Sequence, residues 1–228
     1  MNLWHVTRMI AIKDVRIELR SRVVVNQVLP FAAIVMVLFA FALDNDAVVE
    51  RVAPGLIWLA TMFSLLVIVQ RSFALEQADG ALEALRVAGV RTAGIFLGKA
   101  AALSIQLLML QIVLVLAAMV LYGAELHGDG AVLLVTVVLT ATCGLACVGT
   151  IYGGLAAGAR GRETLLPLLL LPVVAPVLIG ATRATEAALE TGGTTMREGW
   201  GWVALLTTFA LLFGVGGSLA FGALVDDQ

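Results

Sequence analysis

Charged residues are scarce in this 228-residue chain. Only 13% of its residues are Asp, Glu, Lys or Arg, whereas 61% are hydrophobic. Soluble domains contain about 25% charged residues, so this composition excludes a soluble domain and a nucleic-acid-binding protein. The chain also has only two cysteines, too few for a small secreted domain held together by disulfides.

Six stretches contain no charged residue at all, and the shortest has 19 residues. An apolar run of about 18 residues or more can cross a hydrocarbon core of about 30 Å as a helix. We therefore predict an all-α polytopic membrane protein, one domain over residues 1–228 with six transmembrane helices and the lipid bilayer as its surroundings. The spans are predicted near residues 23–43, 52–70, 100–122, 131–157, 164–182 and 200–224.

The lysines and arginines are distributed unevenly between the segments that flank these spans. Eleven lie on the side of the N-terminus and three on the other side, a bias that places both termini in the cytoplasm. The three on the predicted outer side are Arg51, Arg183 and Arg197.

The sequence lacks the usual catalytic, metal and nucleotide motifs. In the predicted topology His5 and His127 lie on opposite sides of the membrane, so they cannot ligate one metal ion. Cys143 and Cys147 have C-x-x-x-C rather than C-x-x-C spacing, which indicates packing residues. Residues 94–100 have one residue too few between their glycines, and Ala where a phosphate loop needs Ser or Thr. We predict no catalytic site, no metal site and no nucleotide site in this chain, which is therefore not expected to be an enzyme.

An amphipathic segment precedes the first span. Lys13, Arg16 and Arg20 recur at helical spacing, and Asp14 and Glu18 lie four residues apart on another face. This pattern predicts a helix lying in the membrane interface, in which it would form an elbow against the inner leaflet. An ordinary basic anchor is the alternative.

The predicted inner loop between spans two and three has a second amphipathic pattern. Glu76, Asp79, Glu83 and Arg86 fall at i, i+3, i+7 and i+10, with apolar residues beside them. Gly80 within this stripe weakens a helix by roughly 0.5 to 1 kcal/mol relative to Ala, which suggests a bend or a close approach. The pattern predicts either a helix on the cytoplasmic rim with its charged side toward a partner, or a solvated amphipathic loop.

Other residues in the spans indicate how the helices pack. Small residues at intervals of four let helices approach closely in lipid. Span four is predicted to pack within the protein, or alternatively against another subunit, through such a set: Gly149, Gly153, Gly154 and Gly158. The buried amides of Gln106 and Gln111 predict interhelical hydrogen bonds, and a substrate path is the alternative. Three prolines in span five, at positions 167, 172 and 176, predict a bent or broken helix.

Three segments, taken together, resemble a known family. The inner loop resembles the coupling helix of ABC-2-type permeases. Residues 53–58 opening span two, residues 77–85 in the loop and residues 171–182 closing span five are similar to the haem exporter protein B family (CcmB) of cytochrome c maturation. The similarity covers nearly the whole chain, and the three motifs occur in the same order and at the same spacing. One departure is that residues 88–90 lack a proline common after this helix in related loops.

The resemblance implies an ABC transporter permease in the bacterial inner membrane that couples ATP hydrolysis by a partner to haem delivery or to release of a haem-loaded chaperone. The implied partners are an ABC ATP-binding subunit, a haem-handling membrane subunit, a small single-span subunit and an outer-face haem chaperone. Haem is then cargo and ATP belongs to the partner subunit. The implied ATPase-contacting residues are Glu76, Asp79, Gly80, Glu83 and Arg86. Two other functions remain open: an ABC-2 permease for a lipid or glycan, and a scaffold that only anchors the ATPase.

Overall fold

A computed structural model describes residues 2–43, 45–78, 89–123, 126, 128–157 and 162–226 of the chain, and these residues form helices and short connections without any strand. Six helices are long and apolar enough to cross a membrane, which confirms the predicted fold class. The helices are α1 (Leu3–Ser21), a π-helical turn (Val24–Val28) that leads into α2 (Leu29–Ala42), α3 (Asp46–Ala78), α4 (Thr92–Tyr122), α5 (Gly128–Ala157), α6 (Arg162–Leu189) and α7 (Met196–Asp226).

Several helices extend beyond the charge-free stretches that predicted them. Helix α3 covers Asp46–Ala78, whereas the predicted span ended at residue 70, and α4 begins at Thr92 rather than at residue 100. The hydrocarbon core limits where charge can lie, but it does not limit the backbone hydrogen bonds of a helix, which continue into the interface. Charged side chains such as Glu76 and Lys99 are therefore helical residues near the ends of these helices.

Helix α6 is continuous through its three prolines, Pro167, Pro172 and Pro176. The prolines therefore do not break the fifth span, which was one of the two predicted outcomes. Each proline removes one backbone donor, and membrane helices tolerate this loss where neighbouring groups satisfy the freed carbonyls.

Helices α3 and α5 form the middle of the bundle. Their most apolar windows are 72% and 56% buried, against 17% for the first and last spans. Glycines let α5 approach its neighbours: a Cβ at Gly149 would lie 3.0 Å from side chains of Leu65 and Val69, and one at Gly154 would lie 2.9 Å from Phe221. Gly158, from the same predicted set, lies outside the described residues.

Helix α1 packs along the first turns of α4 through two further glycines. A Cβ at Gly94 would lie 2.8 Å from Val6, and a Cβ at Gly98 would lie 2.7 Å from Ile10. Val6 and Ile10 are buried in this contact. Residues 94–98, which fail as a phosphate loop, thus form the surface on which the N-terminal helix rests.

The chain turns sharply after α1. Arg22 adopts a left-handed conformation with φ 51°, and its N–H donates to the Glu18 carbonyl. The Glu18 carboxylate then accepts a hydrogen bond from the Val24 N–H at 2.6 Å, which satisfies a donor where the next helical segment begins. This turn holds α1 beside the bundle at the end where α3 ends and α4 begins, which we call the inner end. The opposite end is the outer end.

Candidate functional site

Four charged side chains from three helices meet at the inner end. Lys13 and Asp14 come from α1, Glu76 from the last turn of α3, and Lys99 from the second turn of α4. We call this group the inner charge cluster.

The inner charge cluster is a closed set of ion pairs. The Lys99 ammonium lies 2.8 Å from Glu76 Oε2 and 3.3 Å from Asp14 Oδ2. The Lys13 ammonium lies 3.0 Å from Glu76 Oε1 and 3.1 Å from Asp14 Oδ1. Each carboxylate therefore contacts both ammonium groups, and the formal charges of the four residues cancel.

The cluster is buried on the side that faces the bundle. The side chains of Lys99, Glu76 and Asp14 are only 2%, 6% and 10% exposed, whereas Lys13 is 40% exposed. The Lys99 ammonium also donates to Ser72 Oγ at 3.3 Å and lies 4.6 Å from the centre of the Phe73 ring. Such contacts offset part of the cost of removing a lysine from water.

Lys13 is the one cluster residue outside the membrane-spanning helices with a shifted pKa. Burial by itself lowers the pKa of its ammonium, but Asp14 and then Glu76 act in the other direction, and together they raise the pKa above the ordinary value of 10.5. Lys13 is therefore charged throughout the neutral range, and the electrostatic link between α1 and α3 is present there.

A cavity of about 140 Å³ lies beside the cluster. Gln106 lines it, and the Gln106 side-chain oxygen is buried without a hydrogen-bond partner among the described residues. The other predicted amide, Gln111, donates to Thr61 Oγ1 at 2.7 Å across α4 and α3. The cavity can hold a few water molecules, since each occupies about 30 Å³ in the liquid, so polar groups at the cluster have room to exchange partners.

The structure gives Glu76 neighbours that its sequence pattern did not reveal. The pattern placed Glu76 on a partner-facing stripe, but its side chain is directed into the chain's own bundle and pairs with Lys13 and Lys99. The i, i+3, i+7 spacing describes a helix face, but it does not identify which helices pack against that face. The residues that contact Glu76 are two lysines, which lie 63 and 23 residues away in sequence.

The other predicted contact residues, Asp79, Gly80, Glu83 and Arg86, lie outside the described residues. Their position in the chain is nevertheless informative, because Glu76 and Lys99 stand on either side of them. The ion pair between Glu76 and Lys99 therefore joins the two helices from which this segment leaves and to which it returns. Within the described part of the chain, no three His, Cys, Asp or Glu side chains group as metal ligands do.

The chain has six helices that can cross a membrane, an N-terminal helix packed on α4 at the inner end, and a buried cluster of ion pairs at that end. These features define a multi-pass membrane protein. The family model described as "CcmB protein" matches residues 5–226 of the chain. The chain belongs to the CcmB family.

Curated relatives agree with this assignment. Heme exporter protein B of Haemophilus influenzae is 32% identical over 177 residues, which cover 77% of this chain and 79% of that protein. Heme exporter protein B of Paracoccus denitrificans is 32% identical over 178 residues, covering 77% and 80%. The protein of the same name from Pseudomonas aeruginosa is 28% identical over 221 residues, covering 91% and 92%. The family predicted from the three sequence motifs is thus confirmed.

Proposed function

We propose that this chain is the permease subunit of an ATP-driven haem-handling transporter of the bacterial inner membrane, serving the assembly of c-type cytochromes. The family match over residues 5–226 is the observation that supports this function most directly. The relatives named heme exporter protein B supply the cargo. ATP hydrolysis belongs to a separate ATP-binding subunit, and a haem-handling membrane subunit, a small single-span subunit and an outer haem chaperone complete the complex.

In this proposal, residues 79–86 receive the movement of the ATP-binding subunit. Asp79, Glu83 and Arg86 provide the charged contact, with Gly80 allowing a close approach. Glu76 has a different part, because its carboxylate is engaged with Lys13 and Lys99 inside the chain. It joins the contact segment to α1 and α4.

The inner charge cluster supports this route for physical reasons. A displacement of the segment between α3 and α4 changes the distance between Glu76 and Lys99, and both residues also contact α1. Buried ion pairs resist separation because an unpaired charge in a low-dielectric site is costly. The three helices therefore either move together or exchange ion pairs between discrete arrangements. A conformational switch requires such discrete arrangements.

The substitution Glu83→Lys tests the coupling role. Reversal of this charge should reduce recovery of the chain with a tagged ATP-binding subunit and lower release of haem-loaded chaperone, since breaking a desolvated charge pair costs about 2 to 5 kcal/mol. Membrane insertion should be unchanged because no span is altered. Glu190→Lys, the same substitution at an exposed position of the outer turn, is the matched control.

Normal recovery and normal chaperone release in Glu83→Lys would contradict the coupling role. Normal assembly of a complex in which ATP turnover changes nothing beyond assembly would instead identify the chain as a scaffold.

A further inference from the structure

A cavity lies at the outer end, far from the inner charge cluster. It has a volume of about 630 Å³ and opens between α2, α3 and α6. We call it the outer groove. Ligand pockets for drug-sized molecules measure about 300 to 1,000 Å³, so the outer groove has the capacity for one such molecule.

Apolar side chains form most of the wall of the outer groove. Trp58 is fixed there because its indole N–H donates to Thr185 Oγ1 at 2.9 Å, across α3 and α6. Leu59 and Ile179 remain 38% and 57% exposed at the opening, where lipid would otherwise cover them. The other apolar lining residues are Phe39, Leu43, Val52, Leu56 and Leu178.

Two arginines stand at the rim of the outer groove, and their presence runs against the charge bias of the chain. Only three of the 14 lysines and arginines lie in the segments of the outer side, and Arg51 and Arg183 both line this one cavity. Lys and Arg are depleted in the outer loops of membrane proteins, and charged residues that are retained close to the membrane commonly serve a function. Two cations at one apolar cavity therefore indicate recognition of an anionic ligand.

Arg183 is held in place by a buried acid. Its guanidinium donates to Glu186 Oε2 at 2.9 Å, and the same oxygen accepts a hydrogen bond from Thr194 Oγ1 at 2.9 Å. Glu186 is only 7% exposed, and the turn after α6 passes so close that a Cβ at Gly192 would collide with the Glu186 carboxylate. Arg51 forms no ion pair with a described side chain, and the lining residues together have one excess positive charge.

We propose that the outer groove binds the haem cargo as a porphyrin dicarboxylate, with the macrocycle against the apolar wall and the propionates at Arg51 and Arg183. This inference rests on the proposed function, because the cargo is taken from it. None of the described residues that line the groove is His, Met, Cys or Tyr, so in this proposal they hold the porphyrin without ligating the iron. Binding without an axial ligand suits a cargo that must be released.

Titration of the full-length chain in phosphatidylcholine nanodiscs tests this proposal. Hemin and hemin dimethyl ester are followed by their absorbance, with empty nanodiscs subtracted. The ester keeps the macrocycle but lacks both carboxylates, so the wild-type chain should bind it about a hundredfold more weakly than hemin, the effect of losing about two charge-assisted hydrogen bonds.

Three arginine variants supply the comparison. Arg51→Gln and Arg183→Gln should each weaken hemin binding about tenfold, whereas Arg197→Gln, which removes the third outer arginine outside the groove, should bind as wild type. Because Arg183→Gln also leaves Glu186 with one partner fewer, Arg183→Lys is included to keep the charge, and it should retain most of the affinity.

Equal affinities in Arg51→Gln, Arg183→Gln and Arg197→Gln would overturn the proposal. So would a preference for hemin over its ester that survives in the Arg51→Gln, Arg183→Gln double variant. Absence of saturable hemin binding would overturn the proposal. Abolition of hemin binding by phosphatidylglycerol in the nanodiscs would overturn it in favour of an anionic lipid. Glu83→Lys should bind hemin normally. A negative result for hemin binding in the outer groove therefore does not contradict the coupling role, and a negative result for the coupling role does not contradict hemin binding.

Discussion

Lys99 is the least exposed charged residue in the described part of the chain. The 25 residues that follow it contain no charged side chain, and it contacts two carboxylates from two other helices. The bilayer cannot solvate an ammonium group at such a position, so Glu76 and Asp14 do so in its place.

Replacing Lys99 by Met should therefore destabilise the protein strongly. Met retains much of the side-chain volume but leaves two buried carboxylates with one cation, at a cost of about 3 to 5 kcal/mol. Lys13→Met is the matched comparison: it removes an ammonium group from the same two carboxylates, but Lys13 is 40% exposed, so water can take over part of the role of its ammonium and the loss should be smaller than for Lys99→Met. The free energy of unfolding in mixed detergent and SDS micelles measures both.

A double substitution separates charge pairing from packing. Lys99→Met combined with Glu76→Gln should cost less than the sum of the two single changes, because the second change removes a charge that the first left unpaired. Additive losses, or equal losses for Lys99→Met and Lys13→Met, would contradict the burial-based argument.

Residue identity alone predicted part of this site. Glu76 was recognised as chemically important because it begins a periodic charged stripe, but its partners were not. Lys13 was placed on a basic face and Lys99 was counted only as a topology signal. Ion pairs between helices distant in sequence depend on tertiary packing, for which the local periodicity of one segment contains no information.

At the scale of the elements, the contact between α1 and α4 leaves no room for a side chain at Gly98. A Cβ at Gly98 would lie 2.7 Å from Ile10 Cβ and 2.8 Å from the Thr7 carbonyl oxygen. The backbone oxygen cannot rotate away as a side chain can, so any side chain at position 98 moves the whole of α1.

Gly98→Ala should consequently loosen α1, with a loss of about 1 to 3 kcal/mol from overpacking. Gly216→Ala is the control, because a Cβ at Gly216 in α7 would have no neighbour within 4 Å. Both are measured by the rate of thiol labelling at Val6→Cys, a buried position of α1, in a chain whose native cysteines are replaced by Ala. Labelling should accelerate with Gly98→Ala only.

Equal labelling rates in the two backgrounds would show that α1 tolerates a side chain at its contact with α4. The sequence predicted α1 as a helix from its spacing, and the structure agrees. Its docking site was missed because Gly94 and Gly98 were compared with a nucleotide motif and not considered as small residues at an interval of four.

For the whole molecule, the uneven distribution of Lys and Arg predicts the orientation of the bundle. Single cysteines at Ala47 and Glu190, both exposed at the outer end, should be labelled by an impermeant thiol reagent from outside the cell. Cysteines at Asn2 and Ala81 should be labelled only after the inner face is opened. Native Cys143 and Cys147 are replaced by Ala beforehand, since Cys143 is exposed on α5.

Labelling of Ala81→Cys from outside would invert the topology and remove the coupling role of the inner end. The number of spans followed from the sequence because the bilayer imposes one simple rule, about 18 or more apolar residues for each crossing. The ends of the helices did not follow, since beyond the hydrocarbon the same helix continues among charged residues, as α3 does through Glu76.

The inner charge cluster also has a consequence for how the protein is made. Synthesis proceeds from the N-terminus, so Lys13 and Asp14 leave the ribosome first, Glu76 follows, and Lys99 is the last of the four. The charge that the membrane tolerates least thus appears when both of its carboxylate partners have already been translated. The order of the residues along the chain lets the nascent protein neutralise Lys99 as α4 inserts, without waiting for the three helices that are still to come.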